Sequence, residues 1–195
     1  MANFGHWERG DGGDPTRLML YFLVSRGKDN RELAGFHRRY ETFLAYEGSA
    51  MVERRFDTFV RAGLIGERSR LYQSVNARDE AKVRTALLAY LIEHDWPIAH
   101  IDSLSARLAA QKDKAAESRW LLDIDTTDEP ARATILEEFK RAYADPYQLV
   151  VTPNGLAIVT EHGFDSRELL RKYGDVVSVK RDALLFVEMR ECNNV

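Results

Sequence analysis

The chain has almost no means of covalent or metal-thiolate reinforcement. Cys192 is the single cysteine among 195 residues, so a disulfide framework and a cysteine-based zinc site are both excluded. That usage suits a reducing compartment, and a cytoplasmic location is expected. Long apolar runs are missing as well. The longest, residues 18–24, falls far short of the roughly 20 residues of a membrane-spanning helix, and the opening residues lack the basic-then-apolar order of a secretory signal. Charge of one sign is not in excess either. With 28 Lys and Arg against 31 Asp and Glu, the formal net charge is -3 at pH 7, which leaves only local patches for any nucleic-acid contact. Three of the five histidines (His6, His37 and His162) stand isolated, so a histidine-based zinc insertion is excluded too.

What is present is an alternation of short apolar strands with helical patterns. Residues 1–16, carrying Gly5, Gly10, Gly12, Gly13 and Pro15, read as a flexible leader, because these glycines lack the preceding strand and spacing of a phosphate loop. Residues 18–24 read as a buried strand. Apolar spacing predicts helices over about 30–46 (Leu33, Phe36, Tyr40, Phe43) and 50–62 (Met51, Phe56, Phe59, Val60), the second ended by Gly63 and Gly66. A strand is expected over 71–75, followed by a helix capped by Asn76 with Val83, Leu87, Leu88 and Leu91 as its core stripe, broken at Trp96-Pro97. A further helical stretch over 102–114 turns polar at its end and marks the boundary between an N-terminal αβ module, 17–117, and a second module, 118–195.

The second module begins with a strand around Trp120, then a helix capped by Thr127 with Pro130 in its first turn and Ile135, Leu136 and Phe139 as its buried stripe. Strands over 147–151 and 156–160 flank Thr152-Pro153-Asn154-Gly155, whose composition predicts a tight turn. A helix over 166–173 and a strand over 183–188 close the pattern, with 176–179 as a short strand before the last. The order strand, helix, strand, strand, helix, strand is the split βαβ, ferredoxin-like arrangement of RRM- and palm-like modules. The expected fold class is therefore α/β of the α+β kind, one compact domain of two modules.

Candidate chemistry lies in Trp120-Leu121-Leu122-Asp123-Ile124-Asp125. Side chains two apart on a strand share a face, so Asp123 and Asp125 project together while Trp120, Leu122 and Ile124 point into a core. Two converging hard oxygen ligands suit Mg²⁺ or Mn²⁺. The same carboxylates before a capped helix would also serve its N-terminus or stand solvated. Ser74, Asn76, Arg78 and Lys82 surround a helix start where a phosphate would be favoured, and an Asn cap with a solvated arginine explains the same residues. Arg54, Arg55, Arg61, Arg68 and Arg70 form a basic-rich stretch that reads either as a nucleic-acid backbone contact or as an ordinary exposed face.

The Leu121-Leu122-Asp123-Ile124-Asp125 strand, the Thr152-Pro153-Asn154-Gly155-Leu156-Ala157-Ile158-Val159 hairpin and an acidic residue near the last strand resemble the three motifs of the archaeo-eukaryotic primase superfamily. The resemblance covers about residues 70–190, and Arg70 to Arg78 is similar to a pattern in small phage and bacterial proteins of this arrangement. It implies a primase-polymerase-like nucleotidyltransferase of DNA replication, with Asp123, Asp125 and a third acid as catalytic groups. The third acid is Asp175, Asp182 or Glu188, and Asp175 is preferred because it precedes a strand. Asp123 and Asp125 would hold Mg²⁺ or Mn²⁺, while Ser74, Asn76, Arg78, Lys82, Thr152, Asn154 and Gly155 would meet nucleotide or nucleic acid. The pattern departs in one place: where the family carries a phosphate-contacting histidine on the hairpin strand, this chain has Ala157. That departure implies a second reading, a catalytically silent primase-like module that binds nucleic acid or a protein partner, of the phage accessory or inhibitor type.

Overall fold

A strand that is apolar or aromatic at every position but its last has to be covered on both faces. β1 (Leu18–Ser25) is covered in this way in the computed structural model, which describes residues 16–193. The leader expected over 1–16 lies, Thr16 apart, outside the described residues. β1 pairs antiparallel with β2 (Arg39–Tyr46) on one side and β3 (Arg68–Ser74) on the other. Met19, Tyr21 and Leu23 meet Phe43, Ala45 and Leu71 in one core, closed by Phe56, Phe59 and Val60 of α1 (Ala50–Arg61). The apolar positions of α1 recur at helical spacing, Ser49 caps it by accepting the Met51 N–H, and Glu53 and Arg61 suit the two ends of its dipole.

The helix expected over 30–46 does not form. Residues 26–38 run through turns, with Gly35 at φ 73°, and the remainder is β2. Its Phe43 and Ala45 alternate into the core with a period of two, which outweighs the coincidental three-and-four spacing of Leu33, Phe36, Tyr40 and Phe43. α2 (Glu80–Glu93) is capped by Asp79, which accepts the Lys82 N–H at 3.0 Å, and not by Asn76. Of the stripe expected on α2 only Val83 is buried, and Leu88 is 56% exposed. The helix packs on α3 (Ile101–Ala109), which in turn packs on β2, so α2 is an outer layer with little to cover it.

The second sheet is built from β4 (Trp120–Ile124), β5 (Tyr147–Thr152), β6 (Gly155–Thr160) and β7 (Val177–Lys180), in the antiparallel order β5-β6-β4-β7. One face carries α4 (Glu129–Ala142) and α5 (Arg167–Tyr173). Leu122, Ile124 and Ile158 meet Ile135, Phe139 and Leu169 there. Phe139 is central, its ring 5.1 Å from Tyr147 and 5.4 Å from Phe164, both edge to face. Asp128, whose carboxylate accepts the Ala131 N–H at 3.1 Å, caps α4 in place of Thr127, which stands one residue too early.

The last strand differs in place from the sequence expectation. β8 (Leu184–Glu191) does not close the second sheet; it returns to pair antiparallel with β3, giving the first sheet the order β2-β1-β3-β8, while β7 completes the second. The result is a mixed α+β fold with two four-stranded antiparallel sheets and five α-helices among the described residues. None of those helices is long and apolar enough to cross a membrane.

The two sheets are joined at residues 75–79. Val75 packs with Leu121, Ala157 and Val159 from the second sheet and with Ala183 and Leu185 before and within β8. Asn76, fully buried, donates to the carbonyls of Arg119 and Arg181 and accepts the Arg119 N–H at 2.8 Å. Arg78 makes a bidentate pair with Asp182, both contacts 2.9 Å, with the Arg78 side chain buried and that of Asp182 largely so. Removing one partner of such a pair strands the other charge. Arg78→Met is therefore expected to cost about 3–5 kcal/mol of unfolding free energy, and adding Asp182→Leu is expected to recover most of it; urea unfolding of the single and double variants checks this.

Candidate active-site cleft

The alternation read from the sequence places the acidic pair as expected. Leu122 and Ile124 enter the helix-covered core, and Leu121, Asp123 and Asp125 face the other way. Asp123 and Asp125 open together into a cleft of about 150 Å³ between the two sheets. The second sheet also contributes Thr152, Asn154 and Ala157, and the first contributes Arg26, Lys28, Arg70, Tyr72 and Phe186. Ala157 lies directly beside Asp123 in the strand register, buried, offering no polar group.

The hairpin approaches β4 as closely as backbone permits. A Cβ at position 155 would lie 1.9 Å from the Ile124 carbonyl oxygen and 3.0 Å from the Thr126 nitrogen, so only glycine fits. This contact sets Thr152 and Asn154 beside the end of β4. Gly155→Ala is expected to push the turn away and to destabilise the fold by about 1–3 kcal/mol, read as a lowered denaturation midpoint with Asp123 and Asp125 untouched in sequence.

Arg26, Arg70 and Asp123 are partnered along their own walls, and among the described residues no ion pair crosses between the three cations and the two aspartates. Asp123 accepts from Lys180 on neighbouring β7 at 3.0 Å, a part-exposed pair of small net worth. On the first wall, Asp29 accepts from Arg26 Nε at 3.0 Å and from Arg70 Nη2 at 2.5 Å. Burial alone would raise the Asp29 carboxyl, but hydrogen bonds from Arg26 and Arg70 and their positive fields outweigh it and hold its pKa below the usual carboxylate value. For Arg26 partial burial alone would lower the pKa; the Asp29 hydrogen bond and the fields of Tyr72, Asp29 and Asp125 raise it.

The other residues singled out in the sequence are not brought to the pair. Asp175 is exposed in the turn before β7 and does not line the cleft. Asp182 is held by Arg78, and Glu188 by Arg190 at 2.7 Å. Ser74 accepts the Leu20 N–H and donates to the Asn76 carbonyl inside the first module, and Asn76 and Arg78 are taken up by the inter-sheet junction. Lys82 lies on α2 beside its capping Asp79. The basic stretch does not gather into a stripe: Arg55 pairs with Glu41 and Asp102, Arg61 with Asp57, Arg68 with Glu191, and Arg70 alone of these five reaches the cleft. His162 pairs with Asp145 on the exposed side beyond β6.

Arg26, Lys28 and Asp29 were not marked by the sequence. Their signal is a charged Arg26-Gly27-Lys28-Asp29 turn following an apolar strand, together with an arginine at position 70 on the opposite strand face from Leu71. Among the described residues no three His, Cys, Asp or Glu side chains form a metal-binding group. A two-carboxylate site nevertheless fits Mg²⁺, which binds through one or two carboxylates and completes its shell with water and substrate phosphate. Comparison with protein-family models, curated proteins and solved structures gives no match.

Because the Asp29 pKa is lower in the folded than in the unfolded chain, its contribution to stability is complete above the unfolded value, near pH 4, and is lost as pH falls through the folded value. Glu67, whose burial is outweighed by hydrogen bonds from the Leu64 N–H and Arg39, behaves in the same direction. Unfolding free energy is therefore expected to fall steeply below about pH 4, with a shallower acid limb in Asp29→Asn measured by urea titration across pH.

Proposed function

We propose that the protein is a primase-polymerase-like nucleotidyltransferase whose cleft takes a nucleoside triphosphate and a divalent metal ion and acts on a nucleic-acid strand. The observation that carries the reading is the shared face of Asp123 and Asp125 at the end of β4, open to the cleft and flanked by Thr152 and Asn154. The order of the second module supports it. Strand, helix, strand, strand, helix, strand with the sheet order β5-β6-β4-β7 agrees with the ferredoxin-like, palm-like reading of this module, and in that reading the acids at the end of β4 stand where metal ligands are expected.

In this reading Asp123 and Asp125 hold Mg²⁺ or Mn²⁺. The metal, when bound, supplies charge stabilisation at a transferring phosphoryl group and lowers the barrier to deprotonating an attacking hydroxyl. The chain's own part is positional. The two carboxylates fix the site on a rigid strand, Gly155 keeps the hairpin against it, and Thr152 and Asn154 offer hydroxyl and amide groups to the ligand. Lys180 occupies Asp123 through a part-exposed contact that a divalent ion displaces at little cost.

A second reading belongs to a different class, a catalytically silent module that binds nucleic acid or a protein partner. The specific observation favouring it is Ala157 beside Asp123, where no side chain reaches a phosphate from the hairpin strand. Incubation with Mn²⁺, labelled nucleotides and a single-stranded template decides between them. Template-dependent extension by the wild type and its loss in the Asp123→Ala, Asp125→Ala double variant are expected. No extension, combined with a melting temperature that Mn²⁺ leaves unchanged, would contradict the enzymatic reading, since a ligand bound only by the folded state must stabilise it.

A further inference from the structure

The first wall of the cleft holds more positive charge than its internal partner neutralises. Arg26, Lys28 and Arg70 line it, and Asp29 is the one carboxylate bound to two of them. Arg70 is only 5% exposed, yet its Nε is buried with no hydrogen-bond partner. Its Nη2 is committed to Asp29, and its Nη1 has only a long 3.4 Å contact to the Tyr72 hydroxyl. Nε itself is enclosed, as is Nε of Arg78 at the junction, so the end of the Arg70 fork with capacity to spare in the cleft is Nη1, where an anionic oxygen would make a stronger, charge-assisted bond than the long contact to Tyr72. Arg26 spends Nε and Nη2 on Asp29, which fixes its plane, and Lys28 stands exposed on the same loop. On the facing wall Ala157 offers no donor at all.

We propose that the phosphate-holding part of the cleft lies on the first module: Arg70 and Arg26, positioned by Asp29, together with Lys28, grip the oligophosphate tail of a nucleoside triphosphate from the wall opposite Asp123 and Asp125. This rests on the reading that the cleft accepts such a nucleotide. The planar fork of arginine matches phosphate oxygens in pairs, and two guanidinium groups sharing one carboxylate are held in fixed orientation before a ligand arrives. The three cations gather at one loop and one strand position, while Arg55, Arg61 and Arg68 are committed elsewhere. That compactness fits a short phosphate chain better than the extended backbone of a nucleic-acid strand. Asp29 is a positioning residue here and touches no ligand.

The test uses inorganic tripolyphosphate as probe, titrated calorimetrically into the full chain with EDTA present, beside a separate Mn²⁺ titration without phosphate. Wild type is expected to bind tripolyphosphate, with affinity at least tenfold weaker in Arg26→Gln, Lys28→Gln, whose positions tolerate substitution because neither is fully buried. Arg70→Lys, which keeps the charge and loses the fork, is expected to weaken binding as well. Asp123→Asn, Asp125→Asn is expected to keep or tighten tripolyphosphate binding while losing Mn²⁺. Unchanged tripolyphosphate affinity in the Arg26, Lys28 variant would overturn the subsite, whatever Mn²⁺ does. So would a wild type that binds a single-stranded oligonucleotide in EDTA and ignores tripolyphosphate. Cation-dependent tripolyphosphate binding with no Mn²⁺ uptake would uphold the subsite and remove the metal-dependent reading, so the two failures are told apart.

Discussion

The arrangement of the cleft depends on the buried polar junction of Asn76, Arg78 and Asp182. Neither sheet contains the cleft by itself; one supplies carboxylates, the other cations, and their separation is set where residues 75–79 cross from one to the other. Asn76 ties the end of the first sheet to the start of β4 and to the turn between β7 and β8 through bonds to Arg119 and Arg181. Because Asn76 and Arg78 are removed from water, a partial break leaves unsatisfied polar atoms on them, and the junction is held as a unit. The return of β8 to β3 adds a second tie, since the last strand of the described chain belongs to the first sheet although the chain reaches it directly from the second.

Given that spacing, ion pairs within each wall help to keep the cleft open. Oppositely charged walls would collapse into salt bridges if their charges were free. Instead Asp29 restrains Arg26 and Arg70, and Lys180 restrains Asp123, each from its own side. The walls thus keep their charges aimed at the space between them, an arrangement suited to a ligand carrying both a cation and several anionic oxygens. Gly155 performs the complementary steric task by letting the hairpin touch the β4 backbone, so the polar Thr152 and Asn154 stand beside the acids.

Much of the second module was legible because its periodicities are local. Leu122 and Ile124 alternate with Asp123 and Asp125, Pro153-Asn154-Gly155 demands a turn, and Pro130 marks a helix start. The first module was harder. Tyr40 and Phe43 sit three apart, a helical spacing, while Phe43 and Ala45 sit two apart, a strand spacing, and pairing with β1 decides for the strand. On α2 the apolar Val83, Leu87, Leu88 and Leu91 suggest a core face, of which the fold buries Val83 and leaves Leu88 exposed. Asn76 and Asp79 are both good caps, and the choice between them follows from the Arg119 and Arg181 carbonyls, which come from chain far away in sequence. The cation wall was hidden for the same reason: Arg26 and Arg70 are separated by more than a whole helix and strand, and nothing nearby in sequence announces that Asp29 unites them.

The central claim is that the face shared by Asp123 and Asp125 chelates a divalent cation beside the hairpin turn. Crystals soaked in Mn²⁺ and read by anomalous diffraction test it most directly. The account predicts one strong peak within coordination distance of both carboxylates, with the Lys180 ammonium displaced from Asp123. An Asp123 still paired with Lys180 and no peak in the cleft at saturating Mn²⁺ would contradict it.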